Sequence, residues 1–171
     1  MDNSFDQSVL QSGDVLLYYT PDIVDFIIAE KTGHRVGHVE RYATSGLSMA
    51  SRNGVGVNIY PLRLDGLVSI RRPIGQFNFE KGYDWFNNGV DENGIKIKGQ
   101  GYDFDGLVSF TSFVDRGHAG QMFCSEFSVN FDRACGYASF NPAQGAWSIS
   151  PAAILLSGAY ETVWYLNDYY K

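Results

Sequence analysis

The chain has 171 residues, 44 % of them hydrophobic and 19 % charged, with a formal net charge of −6. That is the composition of one folded domain over residues 1–171, and it excludes a disordered chain. The acidic balance argues against a nucleic-acid reader, which carries a basic surplus, and no apolar run approaches the roughly 18 residues of a membrane span.

Residues 1–12 read as a polar extension, with neither the basic nor the apolar region of a signal peptide. Val15 to Tyr19 is a short apolar run after the turn residues Ser12-Gly13-Asp14, which predicts a buried strand. Thr20-Pro21-Asp22 then has the form of a helix start, with a cap, a proline and an acid in order. Ile23, Phe26, Ile27 and Glu30 follow at helical spacing, and Gly33 can end that helix. Strands are predicted at Val36 to Thr44 and Leu47 to Arg52, with a turn at Ser45-Gly46. Asn53-Gly54 predicts a two-residue hairpin into a third strand carrying Val55, Val57 and Ile59. Leu67 to Arg72 makes a fourth, closed by Pro73. Such short connections predict an antiparallel sheet.

The second half changes character. Phe79 to Asn88 predicts a helix with Phe79, Tyr83 and Phe86 on one face, and Asp91 to Gly94 a turn. Tyr102 to Phe113 has a helical pattern through Phe104, Leu107 and Val108. Cys124 to Cys135 is a clearer helix, with Phe127, Phe131 and Ala134 in its stripe. Ser150-Pro151 opens another helix, and Val163 to Leu166 forms a last strand. The fold class is α+β, a small antiparallel sheet packed with helices. Aromatics at 15 % predict either a dense aromatic core or an aromatic-lined cleft.

Two cysteines are too few for a disulfide framework and lack zinc-ribbon spacing. Cys124 stands at a predicted helix start, where unpaired N–H groups and the helix dipole favour a thiolate and can hold an oxyanion. The plainer alternative is a buried, inert thiol. Cys135, about three turns further on, is out of disulfide range and reads as structural. His38 lies mid-strand, with Glu40 on the same face about 6.5–7 Å along. A thiol, an imidazole and a polar group that orients it make an activated nucleophile; the alternative is a solvated polar strand face. His34 and His118 read as loop residues. A His34/His38/Cys124 zinc site has no recognised ligand spacing, and Gly99-Gln100-Gly101 lacks the ending of a phosphate loop.

Taken in order, these motifs resemble a known family. They are Gly13-Asp14-Val15-Leu16-Leu17, a helix, Gly37-His38-Val39, strands ending at Tyr60-Pro61-Leu62, Gly101-Tyr102-Asp103-Phe104, and Phe123-Cys124-Ser125-Glu126-Phe127. The series is similar to the circularly permuted papain-like cysteine hydrolases of the NlpC superfamily, the YiiX-like branch in particular, over roughly residues 13 to 130. The lecithin:retinol acyltransferase family is a more distant relative of the same permuted type. The resemblance implies a permuted papain-like domain with Cys124 as nucleophile and His38 as general base. YiiX-like chains often carry Glu-Ala in the strand after the histidine, where this chain has Ser48-Met49-Ala50-Ser51-Arg52. Glu40 is then the first choice for the third member and Ser51 the second. Tyr102, Asp103 and Ser125 fall where the cleft and substrate contacts are expected.

The implied activity is that of a cysteine amidase or peptidase, without metal or organic cofactor. Its expected partner is a peptide or amide substrate, with peptidoglycan stem peptides placed first. Two other readings stay open: a lipid acyltransferase or thioesterase, and a non-catalytic binding or structural protein that keeps the fold. With no signal peptide seen, the expected location is cytoplasmic or on a phage or virion.

Overall fold

The computed structural model describes residues 5–20, 23–103 and 119–166. Among these, six strands form one antiparallel sheet: β1 (Val15–Tyr18), β2 (His38–Thr44), β3 (Leu47–Arg52), β4 (Gly56–Pro61), β5 (Leu67–Pro73) and β6 (Tyr160–Tyr165). Their order is β4-β3-β2-β1-β5-β6. β1 is therefore central, between β2 and β5. Its four residues are apolar and all fully buried, which is why it reads as a continuous run and not as an alternation.

Four α-helices are described: α1 (Ile23–Thr32), α2 (Phe79–Asn88), α3 (Cys124–Ala134) and α4 (Pro151–Leu156). None is long and apolar enough to cross a membrane. The capping signals act as their chemistry requires. Asn78 Oδ1 accepts from Lys81 N (3.1 Å) at the start of α2, and Ser150 Oγ accepts from Ala153 N (3.0 Å) at the start of α4. Gly33 follows α1 at φ +71°.

The sheet has two differently covered faces. Val15, Leu17 and Val39 pack with Cys124 and Val129 of α3 and with Ile154 and Leu155 of α4. Ala43, Met49 and Val57 pack against Phe127 and Phe131 of α3 and Phe86 of α2. The opposite face carries Leu16, Tyr18 and Ile70, covered by Phe5, Leu10, Leu62 and Trp164. The aromatic content is thus largely core, with Phe127 tilted against Phe131 (6.2 Å between ring centroids) and edge-on to Phe86 (6.0 Å).

One fully buried ion pair ties α3 to β2. Arg41 Nη2 lies 2.7 Å from Asp132 Oδ1, and both side chains are 0 % exposed. Arg41 also donates to Ser128 Oγ (2.9 Å), Ser128 O (3.0 Å) and Gly13 O (3.1 Å), and Tyr160 OH donates to Asp132 Oδ2. The surrounding donors and acceptors offset the desolvation of the two charges.

Several sequence expectations need correction. β2 starts at His38, because Val36 N–H is spent in a tight turn onto His34 O (2.8 Å). The β3–β4 hairpin has a three-residue turn, Asn53 to Val55, closed by Val55 N to Arg52 O at 3.1 Å. Gly56 then opens β4 at φ +89°, where a Cβ would come within 2.0 Å of the Gln100 carbonyl oxygen. That close approach lets the 99–100 segment pair with Val57 along the edge of β4. Among the described side chains of α1, Phe26 and Ile27 of the expected apolar stripe are exposed and Ile28 is buried. Tyr102 and Asp103 are not helical. The rest of the expected helix over 104–113, and His118, lie outside the described residues, as do Pro21 and Asp22. The last strand begins at Tyr160, earlier than expected.

Candidate functional site

His38 opens β2 directly opposite Tyr18 of β1. Gly37 N–H donates to Tyr18 O (3.0 Å), which fixes the chain as it enters the strand. The two rings lie 6.1 Å apart. Strand alternation then places His38, Glu40 and Tyr42 on one face and Val39, Arg41 and Ala43 on the other.

Glu40 is fully buried and its carboxylate is surrounded by donors. Oε1 accepts from His38 Nε2 (3.1 Å) and Arg52 Nε (2.9 Å), and lies 3.4 Å from Arg63 Nε. Oε2 accepts from Ser48 Oγ (2.5 Å) and Arg52 Nη2 (3.0 Å). The Arg52 guanidinium stacks over Tyr60 at 4.1 Å, and that of Arg63 over Tyr18 at 4.5 Å. The strand face that could have been solvated is therefore a closed electrostatic cluster. Burial by itself would raise the Glu40 pKa. Its bonds to His38, Arg52 and Ser48 outweigh burial and hold it at about 2.

Cys124 is the first residue of α3 and is 1 % exposed. Its Sγ lies 3.9 Å from the carbonyl oxygen of Gly37, the residue before His38. No side chain caps this helix; Phe123 occupies the cap position in extended conformation. Burial disfavours the charged His38 ring. The charge and hydrogen bonding of Cys124, with those of Glu40, outweigh it and raise His38 to about 9. Glu40 engages Nε2 of the ring. Cys135, by contrast, is pushed up to about 12 by burial, and it lies against α2.

The remaining candidates are divided. The Ser51 hydroxyl donates to the Met122 carbonyl, on the α3 side of the sheet, and is not bonded to His38. Its contact holds the segment that enters α3, whereas the group bonded to the imidazole is Glu40. Tyr102 and Asp103 belong to a rail beside that segment. Met122 N–H donates to Gly101 O (3.0 Å) and Asp103 N–H to Met122 O (3.4 Å). Ser125 is fully buried, and its hydroxyl has no hydrogen-bond partner among the described residues. His34 sits in the turn before β2, and among the described residues no group of three His, Cys, Asp or Glu side chains is placed to hold a metal.

A cleft of about 800 Å³ lies elsewhere, lined by Trp85, Asp103, Glu126, Asn130, Arg133 and Trp147 among others. Glu126, Asn130 and Arg133 are on the outer side of α3, whereas Cys124 and Ser128 face the sheet. The cleft reaches Gln121 and Met122 but neither Cys124 nor His38 lines it. This cleft and the cluster of Cys124, His38 and Glu40 thus occupy different sides of one helix.

No protein-family model matches the chain, and no curated protein matches it. The groups that the sequence reading missed are Ser48, Arg52 and Arg63. Ser48 and Arg52 share a strand face by their even spacing, but the residue they serve is on another strand. Arg63 follows β4 in an irregular segment and carries no periodic signal.

Proposed function

We propose that the protein is a cysteine-dependent amidase or peptidase in which Cys124 is the nucleophile, His38 the general base and acid, and Glu40 the group that orients the imidazole. The observations that carry this reading are a buried cysteine at the uncapped start of α3, its Sγ 3.9 Å from the carbonyl oxygen of the residue before His38, and a His38 ring bonded to a fully buried carboxylate. That is the electrostatic requirement of an activated thiol. In its favour too is the resemblance to the permuted papain-like hydrolases of the NlpC superfamily, whose histidine strand precedes the cysteine helix.

The reaction follows from the arrangement. The Cys124 proton passes to His38 Nδ1, and the imidazolium is stabilised through Nε2 by Glu40. The thiolate attacks the acyl carbon, and the oxygen charge is met by backbone N–H groups at the uncapped start of α3. The C–N bond breaks as His38 returns its proton to the leaving amine. Water, deprotonated by His38, then attacks the thioester; the C–S bond breaks, releasing the acid and the thiol. Peptidoglycan stem-peptide amides are the first substrates to screen. The strand expected to carry the carboxylate here carries its donors, Ser48 and Arg52, while the carboxylate sits on the histidine's own strand.

The test is the pH dependence of Cys124 alkylation by iodoacetamide, with the adduct located by mass spectrometry. The reading expects a rate that titrates well below the free-thiol value of about 8.5 and moves upward in His38→Ala. Slow alkylation that titrates like a free thiol in both proteins rejects it in favour of a binding protein.

A further inference from the structure

Arg63 differs from Arg52 in what its guanidinium still has to offer. Arg52 grips Glu40 with two nitrogens, Nε on Oε1 and Nη2 on Oε2, and Nη2 also reaches Pro61 O (3.3 Å). Arg63 approaches Glu40 with Nε alone, at 3.4 Å. Its two terminal nitrogens make no hydrogen bond among the described residues, although the side chain is only 35 % exposed. The group is also pre-organised by a single residue: Tyr18 OH donates to the Arg63 carbonyl (3.1 Å), and the Tyr18 ring lies beneath the guanidinium. Tyr18 is in turn the strand partner of His38. One oxygen, Glu40 Oε1, is bonded to His38 Nε2 (3.1 Å) and lies in ion-pair range of Arg63 Nε (3.4 Å).

Two arginines against one glutamate leave a local positive excess beside the catalytic pair, in a chain whose net charge is −6. Arg63 is the most open group of the cluster, so it faces whatever approaches. A planar fork with two donors on one edge matches the two oxygens of a carboxylate.

Resting on the cysteine-hydrolase reading above, we propose that Arg63 is a specificity-determining residue whose terminal nitrogens bind a carboxylate on the substrate, close to the acyl group that Cys124 attacks. The favoured substrates are then peptides or amides with a free carboxylate near the scissile bond. Neutral amides of the same length are poorer substrates.

The test uses two small alkylating reagents that differ only in charge, iodoacetate and iodoacetamide, on the intact protein with the Cys124 adduct quantified by mass spectrometry. The wild type should show a rate ratio of iodoacetate to iodoacetamide about tenfold above that of Arg63→Gln. Arg63→Lys, which keeps the charge and loses the fork, should fall between them. Arg52→Gln, which removes the same charge from a committed fork, should keep more of the preference than Arg63→Gln. Acetate should protect the wild-type thiol from iodoacetate more strongly than from iodoacetamide, a result that depends on no variant folding. Equal ratios in wild type and Arg63→Gln, or no selective protection by acetate, overturn the subsite. An activated thiolate without anion preference sinks the subsite alone. A thiol that iodoacetamide alkylates as if free sinks the hydrolase reading and the subsite with it.

Discussion

His38 Nε2 and Glu40 Oε1 lie 3.1 Å apart, two residues along the same strand face, with Glu40 completely removed from solvent. A carboxylate can be that deeply buried because four hydrogen bonds from His38, Ser48 and Arg52, with the Arg63 guanidinium 3.4 Å away, replace its water. Its function in the proposed reaction is to fix the ring and to stabilise its protonated form.

Replacing Glu40 by Gln keeps the shape and removes the charge. The His38 pKa should fall from its raised value, and thiolate formation at Cys124 should weaken. Histidine titration by NMR and the iodoacetamide profile read both effects. His38→Ala should slow acyl transfer by at least about 10²-fold, and Glu40→Gln by less. An unchanged His38 titration in Glu40→Gln contradicts the orienting role.

Stability should depend on pH with a defined sign. Glu40 is depressed to about 2, so its contribution is present above its unfolded value of 4.5 and is lost as pH falls toward 2. His38 is raised to about 9, so its contribution is complete below 6.5 and is lost as pH rises through 9. Urea midpoints across this range should therefore be highest between 4.5 and 6.5. In Cys124→Ala the alkaline decline should begin at lower pH, because the largest partner favouring the imidazolium is gone. An alkaline limb that does not move in that variant counts against the Cys124–His38 coupling.

The Arg41–Asp132 pair should be expensive to break from one side. Asp132→Ala leaves a buried guanidinium uncompensated and should destabilise the protein by about 3–5 kcal/mol. Arg41→Met with Asp132→Ala should lose clearly less than the sum of the single losses. Denaturant unfolding of the four proteins in the cycle measures this, and additive losses remove the claim that the pair acts as a unit.

Gly82 lets α2 approach α3. A Cβ there would meet Cys135 Sγ at 2.3 Å and Phe131 Cζ at 2.9 Å. Gly82→Ala should therefore cost about 1–3 kcal/mol, against the gain in helix propensity an alanine normally brings. Cys135→Ala removes the closest atom, so Gly82→Ala should cost less in that background. Thermal melts of the single and double variants decide it.

Much of this was legible in the chain because it is encoded locally. The apolar run at Val15 to Tyr18, the cap residues Asn78 and Ser150, and the helix beginning at Cys124 depend on neighbours a few residues away, and their periodicities survive in one dimension. The same holds for His38 and Glu40, whose shared face follows from strand alternation. The structure alone decided whether that face was wet or dry. Glu40 is buried because Arg52 comes from the next strand and Arg63 from the segment beyond β4, and no spacing in the sequence relates them. Ser51 and Ser48 show the same limit at closer range. Both are serines on β3, but the pleat sends one to the Met122 carbonyl and the other to Glu40. Sequence determined which residues could do chemistry and which element each rides on. Register and sheet order, set by packing two faces against different partners, decided which of those groups meet.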